Sequence, residues 1–207
     1  GRRFMRWGTG SQRFSRPIRW LLALKGVDLI PVEIPGADPP VRSDRFSRGH
    51  RLHGDQPLPI DTAEAYDDTL AAAGVIVDRQ QRAALIRSQL DASADQLNGL
   101  PDCPEFLFQE LVDLVESPRL LQGSIAERFL SLPPEVIITV MQAHQRYVPL
   151  KVPEVTPDPL QLVATGVLQR DFLLVGNGLE AADALITRGN ERVLAARLAD
   201  AEFFLSV

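Results

Sequence analysis

The hydrophobic pattern changes character along the chain. Before residue 62 apolar residues come in short runs broken by proline and glycine. In residues 16–24 (RPIRWLLAL) a proline leads an apolar run that stops before Gly26. Proline suits a first helical turn and glycine a stop, so this stretch predicts a buried helix. Residues 29–34 (LIPVEI) predict a short strand, with Pro31 placing it at an edge or a strand start. Residues 36–44, holding Pro39 and Pro40, predict a loop. Residues 47–54 (SRGHRLHG), broken by two glycines, predict a turn or strand-edge segment.

From Thr62 the spacing becomes helical. A helix is predicted over 62–73, stopping at Gly74. A second covers 78–97, with Asp78 at its N-cap and Gln81 three residues on, as in a capping box. In a third, over 104–116, Phe106, Leu107, Leu111, Leu114 and Val115 recur at helical spacing until Pro118. Ser124 and Glu127 form another capping-box pair before a short helix over 125–132, and Pro134 opens a helix over 134–145. Three β-like runs follow, at 146–152, 160–167 and 172–175, with a proline-rich loop between the first two. Residues 181–204 are helix-rich. Their last stretch, from Gly189, reads as a packed amphipathic helix with a tight start, where Leu194, Leu198 and Ala201 share one face. Helices and strands are mixed without βαβ alternation, which predicts an α+β fold: a mixed sheet with packed helices and a helical excursion at about 62–117. The chain is expected to be one region of a longer protein. Its parts are a basic 1–60, a helical 61–117, and a 118–207 of strands then helices. Neither end looks natural, since the chain opens on Gly1 and closes just past an apolar helix pattern.

Composition narrows the class. With 45% hydrophobic and 24% charged residues in 207, a core can form and whole-chain disorder is excluded. No apolar run is long enough to cross a membrane, and no secretory leader opens the chain. The single cysteine, Cys103, excludes a disulfide framework and a cysteine zinc site, and fits a reducing, cytoplasmic setting. The net charge of −5 hides an asymmetry. Residues 1–53 carry eleven Lys/Arg against four Asp/Glu, a net of +7, and the remainder is at −12. Only Lys25 and Lys151 among the 22 basic residues are lysine. Arginine's planar fork suits phosphate, although a GC-rich genome produces the same bias. The split suggests a polyanionic partner for the first part.

Several patterns bear on chemistry. His50 and His53 form H-x-x-H with Asp55 nearby, which could hold a metal given another ligand; Arg48, His50, Arg51 and His53 could instead grip phosphates, or the segment is a structural turn. The basic and aromatic start of the chain, which includes Arg6, Arg16 and Arg19, could bind single-stranded nucleic acid, or its aromatics could be core. The sequence GNGLEA at 176–181 matches a dinucleotide fingerprint but lacks the second strand that the fingerprint needs, so a strand-to-helix turn accounts for it. There is no P-loop, no G-x-S-x-G and no credible Cys/His pair.

One resemblance runs through the whole chain. Its carriers at the start are MRWG at 5–8, RPIRWLLAL at 16–24, IPG at 34–36 and SRGHRLH at 47–53. Further on they are LVDLVESP at 111–118, HQRY at 144–147, GNERVL at 189–194 and RLADAEFF at 197–204. In this order they resemble the β subunit of the bacterial heterotetrameric glycyl-tRNA synthetase. The resemblance implies a component of an aminoacyl-tRNA synthetase, a ligase of protein biosynthesis that joins glycine to its tRNA with ATP. Aminoacylation, with its ATP and Mg, is expected in the α subunit, so no cofactor, metal or catalytic residue is expected in this piece. The β subunit is expected to bind and position tRNA and to complete the tetramer. The implied partners are the α subunit, the remaining domains of the β subunit and glycine tRNA, with no membrane. The region also resembles the B3/B4 fold of phenylalanyl-tRNA synthetase β chains. The residues expected at tRNA are Arg6, Arg16, Arg19, Arg48, His50, Arg51, His53 and Arg146. Two other readings stand beside this one. The first is a hydrolytic domain acting on misacylated tRNA, with His50, His53 and His144 as its candidate bases; the second is a scaffold without RNA contact.

Overall fold

The structure, a computed structural model, describes residues 4–6, 13–34, 36, 39–152 and 168–206. The chain divides into two compact units, Gly1–Val77 and Asp78–Val207. The fold is α+β, as the mixture of periods predicts, with mixed sheets and five α-helices among the described residues.

The first unit is built of short strands. The helix predicted over 16–24 does not form. Residues 17–20 are exposed and irregular, Leu21–Leu22 pairs in parallel with Ser43 and Asp44, and Leu24–Lys25 forms a tight hairpin with Asp28–Leu29. An apolar run this short fits a strand as well as a helix. Gly26 decides between them. It takes φ +57 at the first turn position of the hairpin, a conformation that costs glycine little. The strand predicted over 29–34 is interrupted, leaving Asp28–Leu29 and Glu33–Ile34. Pro31 has no N–H to give a ladder. Ser43 bridges the interruption: its hydroxyl donates to the Ile30 carbonyl (2.7 Å) and accepts from the Val32 N–H (2.8 Å).

The loop predicted over 36–44 contains a strand, Val41–Asp44, the middle member of a three-stranded sheet. Pro40 sits just ahead of it, where no ladder bond is lost. Phe46–Arg48 pairs antiparallel with Pro57–Pro59, and between them lies a 3-10 turn, Arg51–His53. A turn capped by Thr62 Oγ1 leads into helix α1, Tyr66–Ala72. The chain then reverses at Gly74, φ +78. The His50 N–H donates to the Ala73 carbonyl (2.8 Å), which fastens the histidine segment to the end of α1.

The second unit has three layers. Its sheet runs Leu100–Pro101, Val148–Lys151, Leu168–Gly176, Arg119–Ser124, all antiparallel. Side chains alternate across it. Leu173, Val148 and Leu150 join a core with Ile86 and Leu90 of helix α2, Arg79–Leu97, and with Leu107, Phe108 and Leu111 of helix α3, Glu105–Leu114. Phe172, Leu174 and Leu121 face the other way, onto Phe129, Met141, Leu194 and Leu198. That second layer holds helix α4, Pro134–Thr139, and helix α5, Asp183–Ser206.

Asp78 caps α2 as predicted, its Oδ1 accepting from the Gln80 and Gln81 N–H groups. The Ser124–Glu127 box does not form. Ala126 holds the cap position of a 3-10 turn, Glu127–Ser131, because Ser124 ends an edge strand and its N–H donates instead to Glu191 Oε1 (2.8 Å). The helix predicted over 134–145 is α-helical only to Thr139. Residues Val140–Gln145 widen into a π-helix, and Arg146 follows at φ +60. The final helix starts at Asp183, six residues before the predicted start, so Gly189 is interior to it. The strand predicted at 172–175 extends over Leu168–Gly176, and that at 146–152 narrows to Val148–Lys151. The strand predicted at 160–167 lies outside the described residues. The strand Arg119–Ser124 is not anticipated at all.

Candidate nucleic-acid interface

The arginines predicted for a polyanion are divided between the two units. Arg146 lies in the second unit, where its Nε donates to Glu110 Oε1 (2.8 Å) and its Nη1 to the Ala143 carbonyl (2.5 Å). It serves there as a latch between α3 and the end of the π-helix. The other seven predicted residues belong to the first unit. Arg6 is exposed on a two-residue strand paired with Arg13–Phe14, and Arg16 is exposed just beyond that pair. His50 is 3% exposed and its Nδ1 accepts from the Leu52 N–H (3.3 Å), so the ring shapes the turn. Arg51 and His53 are exposed on the turn itself, with the His53 ring edge-on to His50 at 6.1 Å. Asp55 is paired with Arg48 (2.6 Å). Among the described residues no group of three or more His, Cys, Asp or Glu side chains converges as a metal site.

Arg19 and Arg48 do come together. They line an open groove of about 420 Å³ on the first unit, with Trp20, Arg42 and Phe46. Sheet pairing creates it. The ladder of Leu21–Leu22 against Val41–Asp44 brings residues 19 and 20 beside residues 42 to 48. Alternation along Val41–Asp44 turns Arg42 outward while Val41 and Ser43 are half-buried. The rings remain accessible, Trp20 at 43% and Phe46 at 41%. The Arg48 guanidinium stands 5.7 Å from the Trp20 ring centroid, a cation–π arrangement that steadies the indole.

Two of the three arginines have carboxylate neighbours: Arg42 pairs with Glu33 (2.8 Å) and Arg48 with Asp55. Both pairs include well-exposed partners, and pairs of this kind are worth at most about 1 kcal/mol, so a phosphate can exchange for the carboxylate at little cost. Arg19 makes no ion pair among the described residues. Asp44 also lines the groove, its Oδ1 accepting from the Arg45 N–H (2.7 Å), and it brings one negative charge against the three arginines. Arg42 was missed in the sequence because residues 36–44 read as loop, and Phe46 falls between that loop and the segment 47–54. The outward alternation of Val41–Asp44 is the signal that marks Arg42.

The relatives of the chain agree with its sequence resemblance. The family model for the glycyl-tRNA synthetase beta subunit matches residues 1–207. The chain belongs to the glycyl-tRNA synthetase beta subunit family. It is similar to the glycine–tRNA ligase beta subunit of Gloeothece citriformis (strain PCC 7424), 43% identical over 99% of this chain and 28% of the relative. Similar proteins of that name occur in Moorella thermoacetica, 43% identical over 97% of the chain, and Bacillus subtilis, 40% identical over 97%. The chain spans just over a quarter of the length of these relatives.

Within this family member, the GNER stretch that carries part of the resemblance holds the second unit together. Asn190 Oδ1 accepts from the Tyr147 hydroxyl (2.7 Å), and its amide donates to the Ile186 carbonyl (2.7 Å). Tyr147 in turn stacks on Phe172 at 5.0 Å. Glu191 caps the end of the edge strand through Ser124. These residues fix α5 to the sheet. No helix among the described residues is long and apolar enough to cross a membrane.

Proposed function

We propose that this chain is the part of a glycyl-tRNA synthetase beta subunit that helps to bind and position tRNA, and to assemble the subunits, for ATP-dependent glycyl-tRNA formation. In this reading the aminoacylation chemistry, with its ATP and Mg, belongs to the alpha subunit, and the setting is the cytoplasm. The observation that carries it is the groove of Arg19, Arg42 and Arg48 around two accessible aromatic rings. Guanidinium groups neutralise phosphates and release counterions, which yields sequence-independent affinity. Such contacts would hold an arm of the tRNA so that its 3′ end meets the alpha subunit. His50 is left out of this surface because it is buried in its turn, and Arg146 because it belongs to the second unit and does not line the groove. Arg6, Arg16, Arg51 and His53, all exposed, add to the basic character of the first unit.

The assembly role rests on apolar side chains that each unit leaves open. They are Val27, Leu29, Ile30 and Val32 around the first hairpin, and Phe203, Phe204 and Leu205 in the last turns of α5. Their partners would be the alpha subunit and the remaining domains of the beta subunit.

The arginine assignment is tested by single replacement. Arg19→Ala, Arg42→Ala or Arg48→Ala should each weaken glycine-tRNA binding, whatever the base sequence, and flatten the salt slope by about one. Unchanged affinity and slope in all three would remove the groove from the account.

A further inference from the structure

The groove holds more than a phosphate grip needs. Trp20 forms part of its wall and also part of the wall of a second hollow of about 450 Å³, lined by Leu21 to Leu24, Ala63 and Tyr66. One half-exposed indole therefore stands between two open hollows. A double helix keeps its bases stacked inside and presents phosphate and ribose, which an indole face cannot use. An unpaired strand presents π-faces, and stacking on an aromatic ring is how proteins hold them without reading sequence. Around Trp20 are a second ring, Phe46, and three guanidinium groups, Arg19, Arg42 and Arg48, at the spacing of one short strand pairing.

We propose that this surface takes a single-stranded RNA segment, with bases stacked on Phe46 and on the face of Trp20 that Arg48 leaves open, and the flanking phosphates held by Arg19, Arg42 and Arg48. The inference rests on the RNA-binding reading above and narrows its ligand to unpaired nucleotides. Arg48, over the indole, both orients the platform and faces a backbone phosphate. The carboxylates of Glu33 and Asp55 are the groups that phosphates displace.

The chain has two tryptophans, so Trp7→Phe leaves Trp20 as its only indole reporter. That variant of the full 207-residue chain is titrated with a uridine strand of about eight nucleotides, within the usual span of single-strand grooves. A blunt RNA duplex of the same strand length is titrated in parallel. The expected result is saturable quenching of Trp20 by the single strand and binding at least tenfold weaker for the duplex. Trp20→Ala should weaken single-strand binding by about 5- to 100-fold, and Trp20→Phe should retain most of it. Because the indole is half-exposed, both variants should keep the circular dichroism of the parent. Equal binding of strand and duplex, insensitive to Trp20→Ala but weakened by Arg42→Ala, would overturn the single-strand inference and leave the RNA reading standing. Absence of binding to either RNA, and to glycine tRNA, at about 50 mM salt would overturn both.

Discussion

Two glycines respond to alanine in opposite directions. Gly74 adopts φ +78, and a Cβ there would sit 2.8 Å from His53 Nε2 and 3.2 Å from His50 Cβ. Gly74→Ala should cost more than about 1 kcal/mol, since it combines backbone strain with crowding in the turn that carries both histidines. Gly189 is interior to α5, exposed, with nothing within 4 Å of an added Cβ. Gly189→Ala should stabilise the second unit by about 0.5–1 kcal/mol, because alanine loses less backbone entropy in a helix. Urea midpoints followed by circular dichroism check both signs. Titration adds a third expectation. Burial pushes the Tyr147 phenol up to about 12 from 10. The folded state then keeps a proton that the unfolded chain releases, so this contribution is present below pH 10 and is lost as the pH rises toward 12. Cys103, pushed by burial up to about 11, adds a loss between about pH 9 and 11. Tyr147→Phe should abolish the upper part of the alkaline decline in urea midpoint and leave the lower part. A decline of unchanged shape would contradict the burial of the phenol.

At the scale of elements, the edge of the large sheet is guarded from both faces. The strand Arg119–Ser124 is an edge, and its Leu120 N–H donates to Gln89 Oε1 of α2 (2.7 Å), while its Ser124 N–H donates to Glu191 of α5. Free edge N–H groups invite pairing with other chains. Gln89→Ala should speed hydrogen exchange at Leu120 and destabilise the unit by about 1 kcal/mol. Exchange at Leu120 unchanged by the replacement would sink that reading. The elements also show what a sequence discloses. Helix α3 was legible because apolar residues recurring at helical spacing report a buried face directly, and α2 because Asp78 and Gln81 mark its start. The strand Arg119–Ser124 was not, because its pairing partner lies some fifty residues away, in Leu168–Gly176, and its own six residues carry no clean alternation. Residues 16–24 misled for a related reason: an apolar stretch this short has no period of its own, and the turn at Gly26 and the neighbouring Val41–Asp44 decide its form.

For the whole molecule, the excess of basic charge falls in the first unit, beside the accessible rings of Trp20 and Phe46. Counted over residues 1–77 the net charge is only +2, because the acids after residue 53 offset the arginines, whereas residues 78–207 carry −7. The basic character is therefore local. It is spread over residues 1–53, and Arg19, Arg42 and Arg48 are the members of it that line the groove, where a polyanion should be felt. Arg19 and Arg48 were legible as members of an arginine-rich stretch, but their meeting with Arg42 and Phe46 depends on strand pairing that no local pattern states.

The salt dependence of glycine-tRNA binding by the unaltered chain tests that placement most directly. Three phosphate contacts predict that affinity falls roughly 20- to 40-fold between about 50 and 200 mM salt. Absence of binding at the lower salt, or an affinity indifferent to salt, would contradict a tRNA-contacting role for this groove.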